Sequence, residues 1–347
     1  MGPFALFLAL GMLITGSLNT LTTKEADNLT STDRYGNVVA FSHPFVQAVG
    51  MFIGEFLCLI VFYALVLRAS RAAPGSEASK LARAKPFNPA IFILPALCDM
   101  TATSCMYVGL ALTDASIFQM LRGSVIIFTA ALSVLFLKRR LVASHYLGIF
   151  LVIVGTVCVG LQSKVCPAAA GATCSAPASA LNMSTVGNIL IIAAQLIVAV
   201  QMVVEEKFIT GYDVPALQVV GLEGLFGFIF LTLILTVMYF VPPPAFLVPS
   251  CLVVNGDNIP TPDEYKKHFE DPIDAFTMFG NNPRILLAVL GNILSIAFFN
   301  YFGAQAALAC VRLFFFFRRA LARAPPFAHP CSSQACLLPS TCRRARA

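Results

Sequence analysis

The chain has 347 residues, of which 58% are hydrophobic and only 12% charged, against about 25% charged in an ordinary soluble domain. That balance excludes a pair of ordinary soluble domains and makes lipid the solvent against which the sequence is read. The net charge of +6 does not point to nucleic acid, because the basic residues are scattered between apolar runs rather than gathered on one polar face.

A membrane-crossing helix needs about 20 mostly apolar residues, since the hydrocarbon core is about 30 Å thick and a helix rises about 1.5 Å per residue. Eight such runs occur, near 3–22, 45–67, 89–112, 115–137, 142–161, 185–205, 217–240 and 285–309. They are long and unbroken rather than alternating, so they predict an all-α, polytopic membrane helix bundle and not a barrel. The first run lacks a basic leader and a small-residue cleavage site, so it reads as a span and not a signal peptide.

The loops orient the bundle. Nine basic residues fall on one side: Arg68, Arg71, Lys80, Arg83, Lys85, Lys138, Arg139, Arg140 and Lys207. Six fall on the other: Lys24, Arg34, Lys164, Lys266, Lys267 and Arg284. The richer side, and the N-terminus with it, is expected to be cytosolic. Two glycosylation acceptors, Asn28-Leu29-Thr30 and Asn182-Met183-Ser184, fall on the opposite side. Cys166 and Cys174 share a loop there, either as a disulfide or as two free thiols. None of the 11 cysteines forms a C-x-x-C pair and the four histidines are dispersed, so no metal or cofactor is expected. From about Ala304 the chain turns rich in Ala, Arg, Pro and Cys without another spanning run. That tail reads as a basic interfacial helix or as a disordered end.

Charges at membrane depth cost roughly 2.5–3.5 kcal/mol on insertion scales and normally face a cavity or a partner. Glu55, Asp99, Arg122 and Glu223 all lie inside spans. Gln119 precedes Arg122 by one helical turn and Thr129 extends the same face, giving a polar stripe suited to a watery cavity. The bland reading is that Arg122 snorkels to the interface and that Glu55 and Asp99 are protonated or only pair with Arg122 to hold helices together. Thr15, Asn19, Gln47, Gln195, Gln201, Asn292 and Asn300 add polar groups, any of which can be interhelical glue. Gly50 and Gly54 form G-x-x-x-G, and Gly221, Gly224 and Gly227 recur on the seventh run, as expected for close helix packing. No P-loop, G-x-S-x-G, H-E-x-x-H or dinucleotide motif is present, so an enzyme is not expected.

The stretch PALCDMTATSCMYVGLALTDASIFQMLRGSVIIFTAALSVLFLKRRL, followed by the glycine-rich HYLGIFLVIVGTVCVGL, resembles the drug/metabolite transporter superfamily. Within it the chain resembles the nucleotide-sugar-transporter-like solute carrier 35 proteins, in their F-type branch. TGSLNTLTTKEADN, HPFVQAVGMFIGEF, QMVVEEKF, GLEGLFGF and LLAVLGNILSIAFFNYFG carry the resemblance further.

The resemblance implies ten helices in two inverted five-helix repeats, cytosolic termini and a central site worked by alternating access. It places Gln119 and Arg122 on a cavity helix, with Glu55 and Asp99 on its neighbours. With Glu223 and Asn292 these form the candidate substrate-binding set. Residues 1–165 would be the first repeat, 166–184 a non-cytosolic loop, 185–309 an incomplete second repeat and 310–347 an atypical tail. The resemblance stops near Gly303, which leaves the second repeat two spans short. The expected function is transport of a small organic anion, nucleotide-sugar- or metabolite-like, across a lysosomal, endosomal or Golgi membrane. The alternative is a non-transporting interaction or regulatory protein, or an inactive truncated form. Expected partners are the solute and the bilayer, with a homodimer or another membrane protein left open.

Overall fold

A computed structural model describes residues 3–71, 87–137, 143–165, 183–212, 214–243, 251–254, 257–260, 265 and 267–323. The chain falls into two units, residues 1–306 and 307–347, and the helix bundle lies in the first. In chain order the helices are α1 Pro3–Asn28, α2 Pro44–Ser70, α3 Ile93–Ala111, α4 Ala115–Arg122, α5 Val125–Leu137, α6 Ala143–Val165, α7 Met183–Tyr212, α8 Ala216–Phe240, α9 Pro272–Asn281 and α10 Pro283–Arg323. A 3-10 turn, Pro89–Phe92, leads into α3. Two short antiparallel hairpins complete the described residues: β1 Thr30–Thr32 with β2 Val38–Ala40, and β3 Cys251–Val254 with β4 Asp257–Pro260.

The molecule is an all-α polytopic membrane bundle. Seven of the eight apolar runs are helices long and apolar enough to cross a membrane. In the remaining one, α6, the described apolar stretch is His145–Cys158. Large apolar side chains such as Phe7, Leu13, Leu147, Phe150 and Leu287 point outward and are more than half exposed. Water would not tolerate so continuous an apolar surface, but hydrocarbon does.

The run at 115–137 differs from the single helix its hydropathy predicts. It is broken at Gly123–Ser124 into α4 and α5. Around the break the backbone closes tighter i→i+3 bonds: Gly123 N to Met120 O at 3.1 Å, Ser124 N to Leu121 O at 3.0 Å and Ile126 N to Gly123 O at 3.2 Å. A Gly-Ser pair is a known cause of such breaks. Arg122 is therefore the last residue of a short helix, not an interior residue of a long one.

Small residues set the inner spacing. A Cβ on Gly221 would lie 2.5 Å from Leu59 Cβ, and one on Gly224 would lie 2.5 Å from Phe56 N and 2.6 Å from Glu55 Cβ. A Cβ on Gly227 would collide with the Phe52 ring, and one on Gly54 with Ile296 and the Ile293 carbonyl. The glycine faces thus bring α8 and α10 against α2, as the sequence patterns predict. Gly109 on α3 and Gly187 on α7 meet in the same way, each packed against the other's carbonyl.

One end of the bundle is capped. The β1–β2 hairpin turns at Gly36, whose φ of +88° suits glycine. Asp33 Oδ1 accepts from Tyr35 N at 2.9 Å and Asn37 N at 2.8 Å, closing the loop. Helix α9 starts where Asp271 accepts from Ile273 N and Asp274 N with Pro272 in the first turn. Hairpin and helix are joined by Ser31 Oγ donating to Met278 O at 3.2 Å and by Asn281 and Asn282 donating to the carbonyls of Thr32 and Thr30. Phe41, Ala275, Met278 and Ile285 fill the apolar space beneath.

Candidate functional site

Inside the bundle the polar side chains sort into two layers. The layer nearer the capped end gathers α1, α3, α4 and α10. Gln119 Nε2 donates to Thr20 Oγ1, and Asn19 Nδ2 donates to Asn292 Oδ1. Asn292 Nδ2 then donates to the Tyr107 hydroxyl at 2.8 Å, and Thr23 also bonds that hydroxyl. Arg122 sits beside this chain. Its guanidinium lies 5.6 Å from the centre of the Phe118 ring and interacts electrostatically with Tyr107. Among the described residues Arg122 forms no ion pair. A guanidinium beside the Phe118 ring with no carboxylate against it can bind an anionic group through two parallel N–H bonds.

The second layer lies toward the far end and is acidic. Glu55 on α2, Asp99 on α3, Glu205 on α7 and Glu223 on α8 each bring one carboxyl. Glu55, Asp99 and Glu223 are buried, and Glu205 is partly so. Neutral donors serve three of them: Asn300 Nδ2 to Glu55 Oε1 at 3.4 Å, Thr103 Oγ1 to Asp99 Oδ1 at 3.2 Å, and Gln201 Nε2 to Glu223 Oε2 at 3.5 Å. The layers are offset by two helical turns. Tyr107 and Asp99 lie eight residues apart on α3, as do Asn292 and Asn300 on α10, which is about 12 Å along each axis.

Residues 12–239, about two thirds of the chain, match the nucleotide-sugar transporter family. The chain belongs to that family. It is 49% identical over 303 residues to solute carrier family 35 member F6 of Homo sapiens, covering 86% of this chain and 74% of the relative. The protein of the same name from Rattus norvegicus is 48% identical over 303 residues with the same coverage. An uncharacterized protein of Schizosaccharomyces pombe is 30% identical over 237 residues, covering 68% of this chain and 66% of its own.

In this solute carrier the six candidate residues divide between the layers. Arg122, Gln119 and Asn292 stand in the first, and Glu55, Asp99 and Glu223 in the second. Arg122 and the acids do not meet, so the interhelical Arg–carboxylate tie considered from the sequence is not formed among the described residues. Thr129 does not extend the Arg122 face either. The helix break carries it onto α5, where its hydroxyl meets Met202 Sδ on α7 at 3.9 Å. Tyr107 and Glu205 belong to the layers and escaped the sequence reading. Glu205 closes the sixth apolar run, where a carboxylate reads as an interfacial end. Asn28 is exposed at the end of α1; Asn182, Cys166 and Cys174 lie outside the described residues.

A third polar group sits in the cap, outside the spans. His43 Nδ1 lies 3.3 Å from Glu270 Oε1 and its Nε2 lies 3.4 Å from Asp274 Oδ2. Burial alone would lower the imidazole pKa, but the bonds to Asp274 and Glu270 outweigh it and raise the value from 6.5 to about 9. Burial likewise lifts Glu270. Asp274 is held below the usual carboxylate range, because the bonds from His43 and the Arg34 backbone overcome its burial. Arg34 Nη1 pairs with Asp271 at 2.8 Å. A polar cavity of about 140 Å³ opens among His43, Tyr265, Glu270 and Asp274. No local pattern marks this group, since His43 and Asp274 lie in distant parts of the chain.

Proposed function

We propose that this chain moves a small organic anion, of the nucleotide-sugar or phosphorylated-metabolite kind, across an internal membrane by alternating access. The observation that carries the reading is Arg122: a cation at the end of a broken helix, against the Phe118 ring, without a carboxylate partner among the described residues. Broken helices supply binding groups at midplane sites in many secondary transporters. Family membership supports the same class of activity. Gln119 and Asn292 supply neutral hydrogen bonds that fix the solute's orientation, and Tyr107 holds Asn292 in place.

The capped end faces the lumen of an endosomal, lysosomal or Golgi compartment in this reading, and the N-terminus is cytosolic. The loop after α6 divides two repeat halves. Asn28 then carries a glycan, checked by a glycosidase-sensitive mobility shift that Asn28→Gln removes.

The decisive experiment is uptake of a panel of nucleotide sugars and sugar phosphates into vesicles reconstituted with the full chain. Arg122→Ala abolishes uptake while the protein still reaches its membrane. Undiminished uptake by that variant removes Arg122 from the mechanism. No flux across the whole panel, together with one stably co-purifying membrane protein, favours the interaction-protein alternative.

A further inference from the structure

The acidic layer has a defect of a particular kind. Its buried atoms without a hydrogen-bond partner are Glu55 Oε2, Glu223 Oε1 and Gln201 Oε1. All three are acceptors, and their residues are at least nine-tenths buried, with 6%, 3% and 8% of their surface exposed. Gln201 is neutral and anchored to Glu223 through its amide nitrogen, so its free carbonyl marks the spot independently of the acids. What the site lacks is a donor or a positive charge. Among the described residues no Lys, Arg or His pairs with any of the four carboxyls.

The geometry narrows what supplies that charge. Glu55 and Asp99 lie within hydrogen-bonding reach of each other, as do Glu205 and Glu223. Two carboxyls hydrogen-bond only when a proton sits between them. Four bare negative charges in a region of low dielectric, served only by Asn300, Thr103 and Gln201, would lose their hydration with no counter-charge in return. A bound metal ion would need several ligands converging on one point. Among the described residues no three His, Cys, Asp or Glu side chains are so arranged.

We infer that this cluster is a proton-binding site in which the Glu55–Asp99 pair and the Glu205–Glu223 pair each share one proton. Two thiols also face it, Cys58 beside Glu55 and Cys98 beside Asp99 and Glu205. In each pair one carboxylate takes up H⁺ to become an acid that donates to its ionised neighbour, so the cluster carries two negative charges rather than four. Gly224 seats against Glu55 and Phe56, which keeps α2 and α8 close enough for the four side chains to act together.

The consequence for transport rests on the reading above: protons are the coupling ions, held in a layer offset by about 12 Å along α3 and α10 from the layer that anchors the solute. Charges at that separation influence each other's binding by about tenfold at an effective dielectric of about 20. An anion on Arg122 tightens proton binding, and protonation tightens anion binding to the same degree.

The test is infrared difference spectroscopy on the purified full-length protein in lipid vesicles. The protonated carboxyl stretch is expected at neutral pH, falling as pH rises. It weakens by about half in Glu55→Gln and again by about half in Glu205→Gln. It survives addition of sodium or tetraphenylphosphonium, and it survives Arg122→Ala. Absence of the band in wild type at neutral pH overturns the proposal, and so does its removal by either cation, which would make this a cation site. Loss of the band in Arg122→Ala overturns the separation of the two layers. The wild-type titration carries the test even if a variant fails to fold, and a normal band without solute uptake sinks the transport reading alone.

Discussion

Two polar layers meet along helices α3 and α10 but obey opposite rules. The Arg122 layer holds one cation, an amide-and-hydroxyl chain that is closed on itself, and no carboxylate partner for the cation among the described residues. The Glu55 layer holds four carboxyls, neutral donors and three buried acceptors left unmatched. Had the fold used these charges only to tie helices together, it would have put Arg122 against an acid, since a lone buried charge is the costly alternative. Keeping opposite charges two turns apart leaves each layer short of a counter-ion. One lacks an anion and the other lacks protons. The two deficits are complementary, which is the arrangement expected of a carrier that binds both.

That contrast is easiest to break at Arg122. On the proposed reading Arg122→Ala removes the cation of a partly buried charge contact with the solute, an effect of about 2 kcal/mol or more, or at least about 30-fold in solute affinity. Arg122→Lys recovers only part, because a point charge cannot reproduce the bidentate fork. Equilibrium binding of a nucleoside monophosphate to the purified variants measures both. Equal affinity in all three proteins would make Arg122 a structural residue.

The glycine seam comes next. Gly224→Ala places a methyl group 2.5 Å from Phe56 N and 2.6 Å from Glu55 Cβ, so α2 and α8 must part, at about 1–3 kcal/mol. Gly148→Ala meets nothing within 4 Å and serves as the neutral control. Thermal unfolding in detergent separates them: a clear drop for Gly224→Ala and none for Gly148→Ala. Equal melting would mean that the seam does not set the spacing of the acidic layer.

The cap tests whether charge outside the membrane behaves by the same accounting. His43 binds its proton more tightly in the folded cap than in an open chain. Its stabilisation is therefore complete below its ordinary value of 6.5 and is lost as pH rises through about 9. Asp274 works in the opposite sense: its stabilisation is present above the ordinary carboxylate range and disappears as pH falls through its depressed value. Amide exchange over residues 30–43 and 267–282 is expected to be slowest between these limits. The alkaline loss of protection should vanish in His43→Asn, by on the order of 1.5–3 kcal/mol of local stability for a charge-assisted contact. Protection that rises above pH 9 would show the imidazole to be neutral.

How much of this the sequence shows depends on the range of the interaction. Apolar runs of about 20 residues report a solvent, and they fix the helices whatever their neighbours are. The glycine faces are legible for a similar reason: a missing side chain matters only where another backbone passes. The break at Gly123–Ser124 is only hinted at, because a Gly-Ser pair permits a kink without requiring one and the hydropathy runs straight through it. Glu205 is hidden by position, since a carboxylate at the end of a run becomes part of a buried cluster only when α2, α3 and α8 close around it. The His43–Glu270–Asp274 group joins the residue before α2 to the start of α9, more than 200 residues away, and no local pattern marks either half.

Asn292 gives the finest discrimination, because it is the one candidate whose bland and functional readings differ little in energy. As glue, its bonds to Asn19 and Tyr107 contribute about 0.6 kcal/mol each, and Asn292→Ala should lower the melting temperature slightly while leaving solute affinity alone. As a solute contact held ready by Tyr107, the same substitution should weaken solute binding by about three- to tenfold, the value of one neutral hydrogen bond, with the same small change in melting. Tyr107→Phe decides between them. It removes the hydroxyl that orients Asn292 but leaves the amide in place. A matching loss of affinity therefore means that orientation, and not mere presence, is what the solute reads.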